Sequence, residues 1–292
     1  MKRKLLKIFK SLGSRGFFKW MSSETYIKIV WFLYYGKKIN LNNPKSFNEK
    51  TQWLKLNDHK SIYGELVDKI KVKDIVSKKI GDQYIIKNLW IGNKPEDIPY
   101  DSLPNQFVIK CSHGSHCSII CKDKSNLNIK KANSELNKWL KMNWFWYGRE
   151  WVYKDVEPRI LVEEYLEDEK YKELVDYKFY CFDGEPKVVD VCTKRYSKNE
   201  MGETYMDPDW NFMGFKTVGH ACIPDFPKPK NLQKMLEVSK KLSKGFKFLR
   251  VDLYEINGKM YFGELTFYSA DGYEEFDPEC WNEKMGDMLK IK

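Results

Sequence analysis

Residues 248–266 read FLRVDLYEINGKMYFGELT, two runs of alternating apolar residues on either side of Asn257-Gly258. Asn-Gly in that setting is the strongest short-range signal for a β-hairpin. The two strands carry Arg250, Asp252 and Glu264, and leucine directly follows each carboxylate (Leu253 and Leu265). A carboxylate set into an apolar sheet is costly unless it is paired or holds a metal. Arg250 and Asp252 are two residues apart and therefore share a face of their strand. One cation and two carboxylates converging there suit Mg²⁺ with a phosphate chain. A structural Arg–carboxylate pair is the alternative.

The chain has 292 residues and is 42% hydrophobic, enough for a sizeable core and for two lobes or domains rather than one. Its formal charge of +10 invites a nucleic-acid reading, but the distribution excludes it. Residues 1–50 hold twelve Lys and Arg against Glu24 and Glu49, so this segment carries the whole excess. Within it, Leu5, Ile8, Phe9 and Leu12 recur at helical spacing among lysines. A basic amphipathic helix of this kind can lie on an anionic membrane surface. The apolar run from Ile29 to Tyr35 is too short to cross a bilayer. With seven cysteines and no secretory signal, the thiols read as reduced, and the expected location is cytoplasmic, peripheral at the inner membrane face through residues 1–20.

Helical patterns fill 2–36, and Ser46-Phe47-Asn48-Glu49 fits a capping box opening a helix to about Leu56. Another helix is expected over 63–79, stopping at Gly81, and a polar one over 129–143. Short β-like pieces fall at 84–86, 90–91 and 107–109, and strands at 160–165, 177–182 and 187–193. Residues 195–227 read as irregular and aromatic, and a helix over 230–244 leads into the hairpin. The order, a helical front end and then mostly antiparallel hairpins with helices, reads as α+β.

Residues 107–121 (FVIKCSHGSHCSIIC) place a small-residue loop between two apolar strands. Backbone amides in such a turn can form an anion nest, and Lys110 adds a point charge. Cys111, His113, His116, Cys117 and Cys121 raise metal binding as a rival. Their spacing is not that of a zinc site, and no second Cys/His cluster would complete one. Two more strands carry polar groups: Glu163 and Glu164 end one, and Asp176, Lys178 and Tyr180 share a face of the next.

Taken in order, these features resemble the TupA-like branch of the ATP-grasp superfamily, associated with bacterial surface-polysaccharide and teichuronopeptide synthesis. The resemblance covers about 40–290, and its most specific pieces are NPKSFNEKTQWLKLND (43–58), LPNQFVIKCSHGS (103–115), YGREW (147–151), DYKFYCFDGEP (176–186), residues 248–268 and FDPECWNEKMGD (276–287). It implies two α+β lobes clasping a nucleotide, with ATP and Mg²⁺ as cofactors. The corresponding divisions are a basic helical extension (1–40), a region preceding the fold proper (41–105), a small lobe (106–166) and a large lobe (167–292). By position, Lys110 and Lys178 would contact phosphates and His113, Gly114 and Ser115 would fold over them. Glu163, Glu164, Tyr165 and Leu166 would form the adenine hinge, and Asp252 and Glu264 would hold Mg²⁺. Arg250, with Lys178, would act on the transferring phosphoryl group.

The implied activity is an ATP-dependent carboxylate–amine ligase working through an acyl phosphate, adding an amine to a uronic acid of a capsular or cell-wall glycan. Its expected partners are that glycan or a small carboxylate and an amine, with no nucleic acid. A sugar-modifying transferase of the same pathway is the alternative, for which Asp207-Pro-Asp209 is the one Asp-x-Asp sequence; a non-catalytic carbohydrate-binding protein is another. The chain departs from the family at His116-Cys117, where small residues are usual, at Ser269–Gly272, and at Thr266, where many members have Asn.

Overall fold

The computed structural model describes residues 2–194 and 200–291. Five helices, α1 (Lys2–Ser14), α2 (Ser23–Tyr35), α3 (Phe47–Asn57), α4 (Tyr63–Val67) and α5 (Lys71–Ile80), precede the first strand, β1 (Asn88–Gly92). β2 (Phe107–Cys111), β3 (Ser118–Cys121), α6 (Ile129–Leu140), α7 (Trp144–Gly148) and β4 (Ile160–Glu164) follow. The remainder is β5 (Asp176–Phe182), β6 (Glu185–Thr193), β7 (Gly202–Met206), β8 (Phe212–Thr217), α8 (Leu232–Ser243), β9 (Phe248–Ile256), β10 (Lys259–Thr266), β11 (Phe276–Asp277) and α9 (Trp281–Met288). The strands form two antiparallel sheets, so the class is α+β as expected.

Local chemistry explains where the helices begin and end. The Ser46 hydroxyl accepts from the Glu49 amide at 3.3 Å, and Glu49 Oε2 accepts from the Ser46 amide at 3.2 Å, the reciprocal bonds of a capping box. The single helix expected over 63–79 is two, because Asp68 interrupts it. Its Oδ1 accepts the amides of Ile70 and Lys71, opening α5, while its Oδ2 takes the Arg159 guanidinium at 2.9 Å. Residues 84–86 form no strand; a 3₁₀ turn (Asp82–Tyr84) occupies that place. The irregular section is corrected as well: 195–199 lie outside the described residues, but the rest contains β7 and β8. Their short length and mixed polarity hid them.

The chain divides into two units. The first comprises 1–39, 55–75 and 86–165, with a four-stranded sheet of order β1-β4-β2-β3. Phe107, Ile109, Ile160 and Val162 of that sheet pack with Leu136 of α6. The N-terminal helices belong to this unit through Arg149. Its guanidinium is sandwiched 4.6 Å from the rings of both Tyr26 and Trp146 and donates to the Phe18 carbonyl at 2.6 Å.

The second unit comprises 40–54, 76–85 and 166–292, with a seven-stranded sheet of order β10-β9-β5-β6-β7-β8-β11. Alternation gives this sheet two unlike faces. Phe179, Cys181, Val189, Val191, Leu249, Val251 and Leu253 lie on the side of α8, where the Cys181 thiol reaches the Ser239 carbonyl. The opposite face carries Arg250, Asp252, Lys178, Asp190, Glu203 and Tyr205 in register across four strands.

β10 contains the irregularity on which this second face depends. Ladder partners run regularly from Lys259↔Ile256 to Phe262↔Leu253, then slip by one residue so that Glu264, not Gly263, stands opposite Asp252. This β-bulge turns Glu264 onto the face of Asp252. Gly263 is needed there: a Cβ would lie 2.9 Å from the Asp252 carbonyl and 3.0 Å from the Tyr254 ring. Gly263→Val is expected to destabilise the protein by about 1–3 kcal/mol, read as a lower urea midpoint at unchanged slope.

Candidate functional site

Each unit gathers one polar cluster. In the first, Glu163 on β4 sits beside Lys110 on β2, displaced by one pleat (Val108↔Glu163). Its two oxygens are divided between two ammoniums, Lys73 at 2.5 Å and Lys110 at 2.5 Å. Lys73 projects from the first turn of α5 and also donates to the Ile86 carbonyl at 2.7 Å and Asn88 Oδ1 at 2.5 Å. Burial opposes ionisation of Glu163, yet Lys110 and Lys73 together hold its pKa down at about 2. One carboxylate under two ammoniums leaves a net positive charge, with Lys110 the more exposed of the two lysines. That is an environment for phosphate.

The loop after β2 is tied down from both sides. The Ser112 amide donates to the Arg159 carbonyl at 2.8 Å, and its hydroxyl donates to the Glu157 carbonyl at 3.0 Å. His113, expected at the nucleotide, is buried with Nε2 3.0 Å from the Trp139 carbonyl, and burial lowers its pKa. Its ring is thus turned into the first unit. Gly114 packs on Trp144, where a Cβ would come within 1.8 Å of the indole nitrogen. The left-handed residue of the loop is His116 (φ 57°), exposed beside half-buried Ser115. Histidine thus takes the strained backbone position, and glycine serves close packing instead. No group of three or more His, Cys, Asp or Glu that could hold a metal occurs among the described residues, those of this loop included. Of the expected hinge, Glu164 is exposed and Tyr165 lies under the Lys122 ammonium at 5.5 Å. The chain leaves the first unit after Tyr165 and enters the second at half-buried Leu166.

In the second unit the polar face of the sheet is an ordered array. Arg250 forks onto Asp252, with Nε to Oδ1 at 2.7 Å and Nη2 to Oδ2 at 2.6 Å, and lies 3.5 Å from Glu264 Oε1. Burial raises the Asp252 pKa against the pull of Arg250, and the Glu264 charge adds to the rise. Two carboxylates facing across adjacent strands under such mutual repulsion form a donor set that a divalent cation relieves. Mg²⁺ bound with a nucleotide asks a protein for only one or two carboxylates, so Asp252 and Glu264 fit it.

Lys178, expected at a phosphate, stands opposite Asp252 in the ladder, but its buried ammonium is held by Asp190 at 2.9 Å and Glu203 at 3.1 Å. Burial disfavours its charge, yet those two carboxylates raise its pKa well above the ordinary lysine value. Glu203 Oε2 also takes His220 Nδ1 at 2.8 Å, and this bond raises the His220 pKa. A second chain of bonds leaves Arg250. Its Nη1 donates to the Ser269 hydroxyl at 3.0 Å, Ser269 meets the Tyr180 hydroxyl at 3.0 Å, and Tyr180 donates to Glu274 Oε1 at 2.9 Å.

Sequence reasoning missed Lys73, Asp190, Glu203, His220, Ser269 and Glu274 as members of these clusters. Asp190 carried a legible signal, a carboxylate inside the apolar run Val188–Val191. Lys73 did not, because a lysine in an amphipathic helix is ordinary. Glu163→Gln is expected to destabilise the protein by roughly 3–5 kcal/mol, since it leaves two lysines around a neutral amide. The sign with pH follows from the lowered pKa: the stabilisation by Glu163 is complete above about 4.5, its ordinary value, and is lost as pH falls toward about 2. Unfolding midpoints across that window should therefore fall less steeply in the variant than in the wild type.

The profile of the TupA-like ATP-grasp family matches residues 49–290. No curated protein matches the chain. Among solved structures, D-alanine–D-alanine ligase from Bacillus anthracis, complexed with ATP, aligns at 16% identity and TM-score 0.45 over 77% of this chain and 65% of that one. The ATP-grasp ligase PsnB complexed with minimal precursor aligns at 10% identity and TM-score 0.41 over 71% and 54%. D-alanine–D-alanine ligase from Helicobacter pylori aligns at 15% identity and TM-score 0.42 over 77% and 61%. The chain thus spans between about half and two thirds of the length of these structures. The nucleotide that goes with the matched family is ATP with Mg²⁺, and the match takes in every residue of both clusters. The chain belongs to the TupA-like ATP-grasp family.

Proposed function

We propose that the protein is an ATP-dependent carboxylate–amine ligase that attaches an amino acid or another amine to a uronic acid unit of a bacterial capsular or cell-wall polysaccharide. The observation that carries this reading is the placing of Asp252 and Glu264 opposite one another under Arg250, in a chain of ATP-grasp membership. Mg²⁺–ATP would supply the phosphoryl group: the acceptor carboxylate would take it as an acyl phosphate with release of ADP, and the amine would then attack the acyl carbon, losing a proton and expelling phosphate to leave the amide. Asp252 and Glu264 would hold the cation, and Arg250 would neutralise charge on the transferring group. Lys110 and Lys73, organised by Glu163, take the phosphate chain together with the amides of Gly114 and Ser115. Lys178 fixes Asp190 and Glu203 behind the reacting groups. No protein nucleophile is needed, because positioning and charge neutralisation carry such a reaction.

Polar chemistry on the sheet favours this over the alternatives. In Asp207-Pro-Asp209, the Asp207 carboxylate accepts the amides of Asp209 and Asn211 and the Asn211 side chain, which makes it the cap of a turn. A carbohydrate-binding protein without catalysis has no use for a buried and a half-buried carboxylate facing one another beside an arginine. Peripheral contact with a membrane through residues 1–20 belongs to this proposal.

The test supplies ATP, Mg²⁺ and a panel of uronic acids with hydroxylamine as the trapping amine, following ADP release and hydroxamate together. Turnover with at least one uronic acid is expected. Asp252→Asn and Glu264→Gln should each lower it by roughly 10²–10³-fold or more with an unchanged circular dichroism spectrum. Undiminished turnover in both variants would remove the site assignment.

A further inference from the structure

α1 has more apolar surface than the fold uses. Its inner face is fully engaged: Leu6 is buried, and Phe9 stacks on Phe18 at 4.4 Å and meets Tyr26 at 5.1 Å. Gly13 approaches so closely that a Cβ would lie 2.5 Å from the Tyr26 hydroxyl and 2.9 Å from the Trp146 carbonyl. Yet Leu5 and Ile8, three residues apart and so neighbours along the helix, are 48% and 50% exposed. The turn that follows adds Phe17 at 63% and Trp20 at 80% exposure. The same stretch of chain carries the exposed cations Lys4, Lys7, Arg15 and Lys19. No acidic residue precedes Glu24.

We propose that this surface docks the protein on the anionic face of a lipid bilayer. Leu5, Ile8, Phe17 and Trp20 enter the boundary between headgroups and acyl chains, while the lysines and arginine pair with lipid phosphates. Each half of the pattern answers one half of the partner. Large exposed apolar side chains, tryptophan above all, partition to that boundary, and the surrounding cations are drawn to its negative potential. A second copy of the chain would bring the same uncompensated cations against this surface and be repelled. A nucleic-acid backbone satisfies the charges but offers nothing to four apolar side chains. Among the described residues no helix is long and apolar enough to cross a membrane, so the contact is one of lying on the surface. α1 need not detach to make it. The Phe9–Phe18–Tyr26 stack and the bond from Arg149 to the Phe18 carbonyl hold its inner face while the outer side chains stay exposed.

The test is co-sedimentation of the full chain with vesicles of phosphatidylcholine alone and of phosphatidylcholine with phosphatidylglycerol. It is run with the wild type, a Leu5→Ser/Ile8→Ser/Trp20→Ser variant and a Lys4→Gln/Lys7→Gln variant, with the association state of each measured in solution. The wild type is expected to bind the anionic vesicles and to lose binding as salt rises. Both variants should bind at least about tenfold more weakly, with unchanged circular dichroism, because every substituted side chain is exposed. Wild type that stays in the supernatant with anionic vesicles would overturn the proposal. So would variants that bind as well as wild type, or a dimer that the serine variant abolishes, which would assign the surface to a second copy.

Discussion

The seven-stranded sheet carries too many carboxylates on one face, and much of the second unit answers that fact. Asp176, Asp190, Glu203, Asp252, Glu264 and Glu274 share this face with two permanent cations, Lys178 and Arg250. Burial pushes Asp190, Asp252 and Glu274 toward their neutral forms, and the Asp190 pKa rises to about 8 although Lys178 and its hydrogen bond pull the other way. Glu203 goes in the opposite direction: burial is outweighed by Lys178 and His220, and it stays ionised. The array is only partly neutralised from within. Asp190 Oδ1 and Glu274 Oε2 are buried without a hydrogen-bond partner. A sheet face of this kind suits an incoming cation, which is what a metal-bound nucleotide brings.

The cluster of the first unit has the complementary character. Glu163 organises Lys73 and Lys110, and the three groups together retain a positive charge. Removing any one member of a buried, hydrogen-bonded charge group costs more than the group contributes as a whole. Both clusters are therefore held in geometry by their own electrostatics.

Much of this was legible in the sequence. The Asn257-Gly258 turn, with φ of 50° and 78°, is the hairpin expected, and the capping box at Ser46 and Glu49 formed as read. Arg250 and Asp252 were placed on one face by simple alternation. Glu264 was not: strict alternation along β10 would have put Gly263 opposite Asp252, and only the bulge corrects it. Bulges leave little trace in hydrophobic pattern, since one extra residue merely shifts phase. Asp68 hid a helix break because the carboxylate that caps α5 through Oδ1 is also bound at Oδ2 by Arg159, which lies far along the chain. β7 and β8 were missed because their residues pack on aromatic neighbours such as Phe276 and Trp281 rather than following a clean apolar alternation. The partners of Lys178 lie on β6 and β7, 12 and 25 residues away, so its pairing was readable only once the sheet order was known.

The most direct test is calorimetric titration of ATP and a non-hydrolysable analogue, with and without Mg²⁺, into the wild type and Asp252→Asn. Binding that requires Mg²⁺ in the wild type and is lost in the variant is the expected result, since it ties the nucleotide to the polar face of the seven-stranded sheet. Absence of nucleotide binding under every condition, or Mg²⁺-dependent binding of equal strength in the variant, would contradict the account.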